Sequence, residues 1–216
     1  MRSVSKLIVG IAALAFAGTA SATTMTALCS TLNGPTEING NVVCPQFSGL
    51  GLLSQVAITV DGAISGSITL TNNGSATQNG EGTTTSGFMV GPLTGFIIAN
   101  PLFSATFNTG LQSLTPGQTK TFSGLSGTGS ATITDTGLFA PYTGAGNFNI
   151  PVLTGSMLTI SGGGGNFAGS QSTTGTATAT VTYTFASTTV PEIGTPIYLA
   201  TGLGSILIGL WRRRPR

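Results

Sequence analysis

The stretch 176–185, TATATVTYTF, alternates hydroxyl and apolar residues without a break. Successive side chains on an extended strand point to opposite faces, so Ala177, Ala179, Val181, Tyr183 and Phe185 share one face and five threonines share the other. A helix would scatter both sets around its circumference. The same period of two sets Val56, Ile58 and Val60 against Ala57 and Thr59, and it continues through Ile64, Ile68 and Leu70. The chain is therefore expected to fold as strands with one buried face and one wet face.

Composition agrees with that pattern. The 216 residues include 37 threonines, 21 serines and 33 glycines, while only 6% are charged, against roughly 25% in ordinary soluble domains. Threonine favours strands, and glycine and asparagine favour turns. Further strand segments are expected at 87–90, 95–99, 103–107, 120–122, 131–134, 147–152 and 157–160. Turns are expected at Asn72-Asn73-Gly74, Asn79-Gly80, Asn100-Pro101, Thr115-Pro116-Gly117 and Ala140-Pro141. Asp61-Gly62 fits either a hairpin turn or a bend inside one long strand. The four glycines 162–165 have no shape of their own. Many short strands without helical periodicity imply an all-β fold, an antiparallel β-sandwich of immunoglobulin-like or jelly-roll-like kind. Long threonine-rich edge strands with little charge also raise the prospect of self-assembly.

Charge and hydropathy set the two ends apart. Six of the seven basic residues are terminal: Arg2 and Lys6, then Arg212, Arg213, Arg214 and Arg216. Between residues 23 and 190 the one base is Lys120, against Glu37, Asp61, Glu81 and Asp135. Nucleic-acid binding needs a basic face that displaces phosphate counterions, and this segment has none. Residues 1–22 read as a signal peptide: Arg2 and Lys6 precede an apolar run at 7–17, and Ala20-Ser21-Ala22 supplies the small residues that signal peptidase requires, with Thr23 the first mature residue. At the other end, the apolar stretch 197–211 would make about 22 Å of helix, short of the roughly 30 Å hydrocarbon core, yet able to span a thin bilayer. The arginine cluster behind it stays cytoplasmic, so the domain before it faces outward. The expected organisation is a signal helix at 1–22, an exterior domain at 23–189 and a membrane tail with a transmembrane helix at 190–216.

Export bears on the two cysteines. In an oxidising compartment Cys29 and Cys44 are expected to form a disulfide, with two free thiols as the alternative. Closing a loop of about 15 residues is worth about 3 kcal/mol in the chain-entropy account.

The tail, with Pro191 and Glu192 ahead of a Gly/Leu-rich apolar stretch and then Arg212, Arg213 and Arg214, resembles the PEP-CTERM sorting domain. Ile193 stands where the signature has its second proline. The resemblance implies a precursor held in the inner membrane of a Gram-negative-type bacterium until an exosortase cuts near the signature and releases the protein to the cell surface or the exopolysaccharide matrix. A plain membrane anchor is the alternative reading of the tail. In the exterior segment, Cys44-Pro45-Gln46-Phe47, the strand pattern up to Asn72, Asp135-Thr136-Gly137, the run 142–146, Gly165-Asn166-Phe167 and the run 181–185 resemble the choice-of-anchor E domain of bacterial surface proteins. That likeness implies no catalytic residues.

The chemistry available is sparse. Histidine is absent, which removes the commonest general base and most zinc sites. A glycosidase needs two carboxylates about 5–10 Å apart, and the four acids are scattered along the chain in turn-like stretches. No cofactor or metal is expected, and no enzymatic activity. The leading expectation is a non-catalytic surface or matrix protein whose partners are signal peptidase, an exosortase, the inner membrane in transit, and exopolysaccharide. The alternative is a carbohydrate-binding module. Its candidate sugar contacts are Phe139, Tyr142 and Phe148, the one loop-like aromatic cluster; filling the core is the competing role for these rings. Asn73-Gly74-Ser75 is a glycosylation sequon, and the hydroxyl-rich faces could carry O-linked sugars.

Overall fold

The computed structural model describes residues 22–35, 37–49 and 51–187. Ala20 and the sorting residues Pro191, Glu192, Arg212, Arg213 and Arg214 lie outside the described residues, as do the expected signal and transmembrane helices. Ten strands follow one another: β1 (Ala22–Leu28), β2 (Leu32–Pro35), β3 (Asn39–Pro45), β4 (Gly51–Asn72), β5 (Gln78–Val90), β6 (Phe103–Asn108), β7 (Gln112–Leu114), β8 (Thr119–Asp135), β9 (Asn147–Gly162) and β10 (Phe167–Ser187). Two 3-10 turns, Ala140–Tyr142 and Gly163–Gly165, are the only helical pieces among the described residues.

The strands form two antiparallel sheets packed as a sandwich. The first has the order β1-β10-β4-β8, with β2 continuing the edge along β10; the second has β3-β9-β5-β6, with β7 continuing the edge along β5. The alternation read from the sequence sets the faces. Val56, Ile58, Val60, Ile64, Ile68 and Leu70 of β4 are buried, as are Ala177, Ala179, Val181 and Tyr183 of β10. Phe47, Phe88, Tyr142, Ile150 and Val152 meet them in one core.

Several expected short strands are longer in the structure. Asp61-Gly62 is neither hairpin nor break, because β4 runs through it in register with β8, Asp61 opposite Ser130. Gly62 is needed where the Phe88 and Phe103 rings lie, since a Cβ there would come within 2.5 Å of Phe88. Segments 120–122 and 131–134 are one strand, β8, and 147–152 and 157–160 are one strand, β9. Asn79-Gly80 is not a turn but lies inside β5, paired with β7 and, through Gly80, with Gly162 of β9. Residues 95–99 form no strand. There the chain turns at Gly95, with Phe96 N–H donating to Leu93 O, and Phe96 and Ile98 pack on the core from a loop. The glycines 162–165 take a defined shape with positive φ at all four, closed by Phe167 packed on Gly163.

One bulge corrects the facing of β8. Between Gly66 and Ile68 of β4 the partners step from Leu125 to Phe122, so β8 carries one extra residue there. The inward positions are odd-numbered from Leu125 to Asp135, yet Phe122 also packs on the core. An extra residue shifts the parity by one and turns Phe122 inward, with Gly124 at φ +73° supplying the backbone kink.

Both long sides of the sandwich are closed. On one side the Cys29–Cys44 disulfide joins the end of β1 to β3, across the two sheets. Ser30 and Val43 reinforce it, Ser30 N–H donating to Val43 O and Val43 N–H to Ser30 Oγ, each at 2.8 Å. On the other side β8 lies directly against β6: a Cβ on Gly127 would meet Thr106 O at 2.2 Å, and one on Gly129 would meet the Phe103 ring at 2.6 Å. β1 and β8 remain the outer strands of the first sheet, and β3 and β6 those of the second.

Candidate functional site

The outer face of the first sheet is a field of hydroxyls. Odd positions of β4, even positions of β10, and in β8 even positions beyond the bulge and odd positions before it point outward, and threonines pair across the strands. Thr59 and Thr132 lie 2.8 Å apart, Thr69 and Thr121 2.9 Å, Thr71 and Thr119 2.9 Å, and Thr26 and Thr182 3.3 Å, oxygen to oxygen. Each hydroxyl both donates and accepts, and a cross-strand pair leaves one proton or lone pair directed outward.

At mid-sheet this face is hollowed. An open depression of about 420 Å³ is lined by Asp61, Ala63, Thr128, Ser130, Thr176 and Thr178. Asp61 is the one charge in it, and its Oδ1 accepts a 2.6 Å hydrogen bond from Ser130 Oγ. The lining can exchange hydrogen bonds with a polyhydroxylated chain or with water. It holds no nucleophile–base pair and no aromatic ring. Thr128, Ser130, Thr176 and Thr178 are strand residues that alternation places outward, but only the pairing of three distant segments makes them a concavity.

The four acids occupy separate places. Glu37 lies between β2 and β3, Glu81 is in β5, and Asp61 and Asp135 are on β4 and β8. Asp61 opposes Ser130, five residues from Asp135, so about 17 Å of strand separates the two carboxylates, and they point to opposite faces. That exceeds the spacing at which two carboxylates share one glycosidic bond. Asp135 is buried, and its oxygens accept the backbone N–H groups of Gly137 (2.8 Å) and Leu138 (3.2 and 3.3 Å), closing the end of β8 as an Asx-type turn. Lys120 donates to Gln112 Oε1 at 3.2 Å and sits 4.8 Å above the Phe122 ring. Among the described residues no three His, Cys, Asp or Glu side chains group as metal ligands would.

The aromatic cluster Phe139, Tyr142 and Phe148 is brought together, but inward. Tyr142 is 1% exposed; Phe96 and Phe148 pack edge-on against it at 5.6 and 5.0 Å, and its hydroxyl donates to Thr94 O at 2.5 Å. Phe139 and Phe148 are half-buried against the same core. Tyr142 therefore has no free face for a sugar ring, whereas Phe139 and Phe148 keep part of theirs exposed. Gln46, which the sequence did not single out, ties this region down: its Nε2 donates to Pro141 O at 2.9 Å and its Oε1 accepts from Gly146 N–H at 3.1 Å. Burial raises the Tyr142 phenol from 10.0 to about 12, with the Asp135 charge adding to it; burial raises Tyr183 as well, with Tyr142 a lesser cause.

No protein-family description matches this chain, and no curated protein does. Among solved structures, the chain aligns with a structure of the Gx strain of infectious bursal disease virus at 11% identity and a TM-score of 0.14, covering 94% of this chain and 55% of that one. It aligns with a structure of the Gt strain of the same virus at 8% identity and a TM-score of 0.13, covering 93% and 52%. The chain spans about half the length of these solved chains. Overlap at that level carries no argument about this protein.

Proposed function

We propose that this chain is an exported, non-catalytic bacterial surface or matrix protein: a leader at 1–22 removed at Ala22, an exterior domain of choice-of-anchor E type, and a PEP-CTERM tail at 190–216 through which an exosortase-type enzyme releases it. The signal helix and the transmembrane helix belong to this proposal. The observation that carries it is the disulfide between the sheets, Cys29 to Cys44, in a chain whose first residues read as an export signal. Such a bridge persists in oxidising compartments and is reduced in the cytosol. The low charge and the hydroxyl-covered face support residence among hydrated polymers. The described domain also has the right ends: Ala22 and Ala186 are register partners, so leader and tail leave the same end of the first sheet and both can be cut without opening the core.

The test is mass spectrometry of the mature protein from the native envelope, with and without the exosortase. An N-terminus at Thr23 and a C-terminus near Pro191 that depends on the exosortase is the expected result. A full-length chain with both ends intact in the cytosol would overturn the reading.

The depression around Asp61 favours a second reading, weak binding of exopolysaccharide by hydrogen bonds alone. Retention on a neutral polysaccharide column that falls in Asp61→Ala, and is unchanged in Tyr142→Phe, is its signature; equal retention of the wild type and Asp61→Ala removes it.

A further inference from the structure

We propose that the end of the sandwich from which the chain departs is a lipid-contacting surface, with Leu52, Ile97 and Leu138 resting in the bilayer interface while the precursor is tethered. The inference rests on the tethering reading above and adds the orientation of the domain.

Register places the three residues at one end. Ala22 pairs with Ala186, and a Cβ on Gly51 would meet Ala186 O at 2.7 Å, so Leu52 sits beside the departing strand. Asp135 pairs with Val56, which puts Leu138, three residues on, at the same end of the first sheet. Gly95 packs directly on the Asp135 carboxylate and brings Ile97 there too. Leu52, Ile97 and Leu138 are 79, 99 and 57% exposed. Leu28 and Leu111 are as exposed, at 81 and 71%, but stand singly elsewhere; it is the gathering of three at one end that suits a surface meeting something other than water.

Charge singles out the occupant. Asp135 is the one ionisable carboxylate at this end among the described residues, and it is buried on backbone N–H groups. The exposed charges lie elsewhere. Lys120 pairs with Leu70 near the far end of β4; Glu81 follows Gly80, which packs on Phe167 at the start of β10; Asp61 is at mid-strand; and Glu37 adjoins Ile38, which packs beside Gly175 at mid-sheet. An uncharged, apolar end suits the neutral interface of a bilayer, and with Lys120, the cation among the described residues, at the far end of β4, anionic lipid gains nothing here. Reach fits as well. The ten residues between Ala186 and Ile197 span at most about 35 Å, so a tail beginning at Ile197 allows this end to reach the membrane and bars it from standing farther off than that.

The experiment uses the full chain reconstituted in phosphatidylcholine vesicles, with Trp211→Phe to silence the native tryptophan and a single probe from Ile97→Trp, Leu138→Trp or Gln112→Trp. Flotation reports tethering, and quenching by acyl-chain-brominated lipid reports depth. The expected result is a blue-shifted emission and loss of most fluorescence for the probes at 97 and 138, unchanged when phosphatidylglycerol is added, with no quenching at 112. A chain that floats but shows probes at 97 and 138 as unquenched as the one at 112 overturns the surface and leaves the tether standing. A chain that does not float overturns both. Quenching that appears only with anionic lipid also defeats the proposal, since it would mean an electrostatic contact.

Discussion

Buried phenols set the protein's alkaline limit at the scale of single residues. Tyr142 donates to Thr94 O and Tyr183 to Pro45 O, both from positions at most 1% exposed, and both phenols are shifted upward. A group whose folded value lies above its unfolded value of 10.0 holds its proton longer in the fold than in the unfolded chain. Its contribution is fully present below pH 10 and is lost as pH rises through the folded value. Urea midpoints should therefore be flat from pH 7 to about 9.5 and fall steeply between pH 10 and 12. Tyr142→Phe should lessen that fall, at a cost of about 1 kcal/mol at neutral pH for the lost hydrogen bond. A midpoint that rises above pH 10 would contradict the assignment. The sequence shows Tyr183 as inward because alternation on both sides fixes its parity. Tyr142 sits in a loop with no period to fix it, which is why its inward direction became visible only with Phe96, Phe148 and Thr94 around it.

Glycine at the scale of elements is what the sequence disguises. Asp61-Gly62, Asn79-Gly80 and Gly127 and Gly129 of β8 look like punctuation, yet the strands run through them, because the ring or backbone of a strand on the other sheet occupies the space a side chain would need. A period-two pattern reports which face is buried; it does not report how close the opposing sheet comes. Gly124 is different, since its φ of +73° is the conformation itself. Gly124→Val should cost about 1–2 kcal/mol by forcing a β-branched residue into the left-handed region, whereas Ser123→Val next to it should stay within about 0.5 kcal/mol. Equal urea midpoints for the two variants would mean the bulge can move along β8. The cysteine pair was legible from the count and the export signal, but its role as a bridge between sheets was not. With a sequence separation of 15, Cys29→Ser with Cys44→Ser should lower stability by about 3 kcal/mol, matched by the wild type under reductant. Reductant should then have no further effect on the double variant.

At the scale of the whole molecule, one compact unit spans Ala22–Ala186, and its first and last residues are register partners. The described core residues lie within Ala22–Ala186, and near its C-terminal side Tyr183 and Phe185 pack on Phe47 at centroid distances of 5.5 and 4.8 Å. β1 depends on the same segment, because Thr23 to Thr26 pair with Phe185 to Thr182. A chain ending at Ala186 should therefore unfold at the same urea midpoint as one ending at Val190, both made in an oxidising compartment and both starting at Thr23. A chain ending at Val181 removes Tyr183 from the core, uncovers Phe47 and leaves most of β1 unpaired, losses of several kcal/mol each from buried aromatic surface alone, against a total stability of about 5–15 kcal/mol. Its unfolding should lose cooperativity altogether. Cooperative unfolding of the chain ending at Val181 would show that β10 is dispensable beyond its middle. A midpoint that drops between the chains ending at Val190 and Ala186 would show that residues 187–190 belong to the fold, and release by cleavage close to the domain would then carry a stability cost.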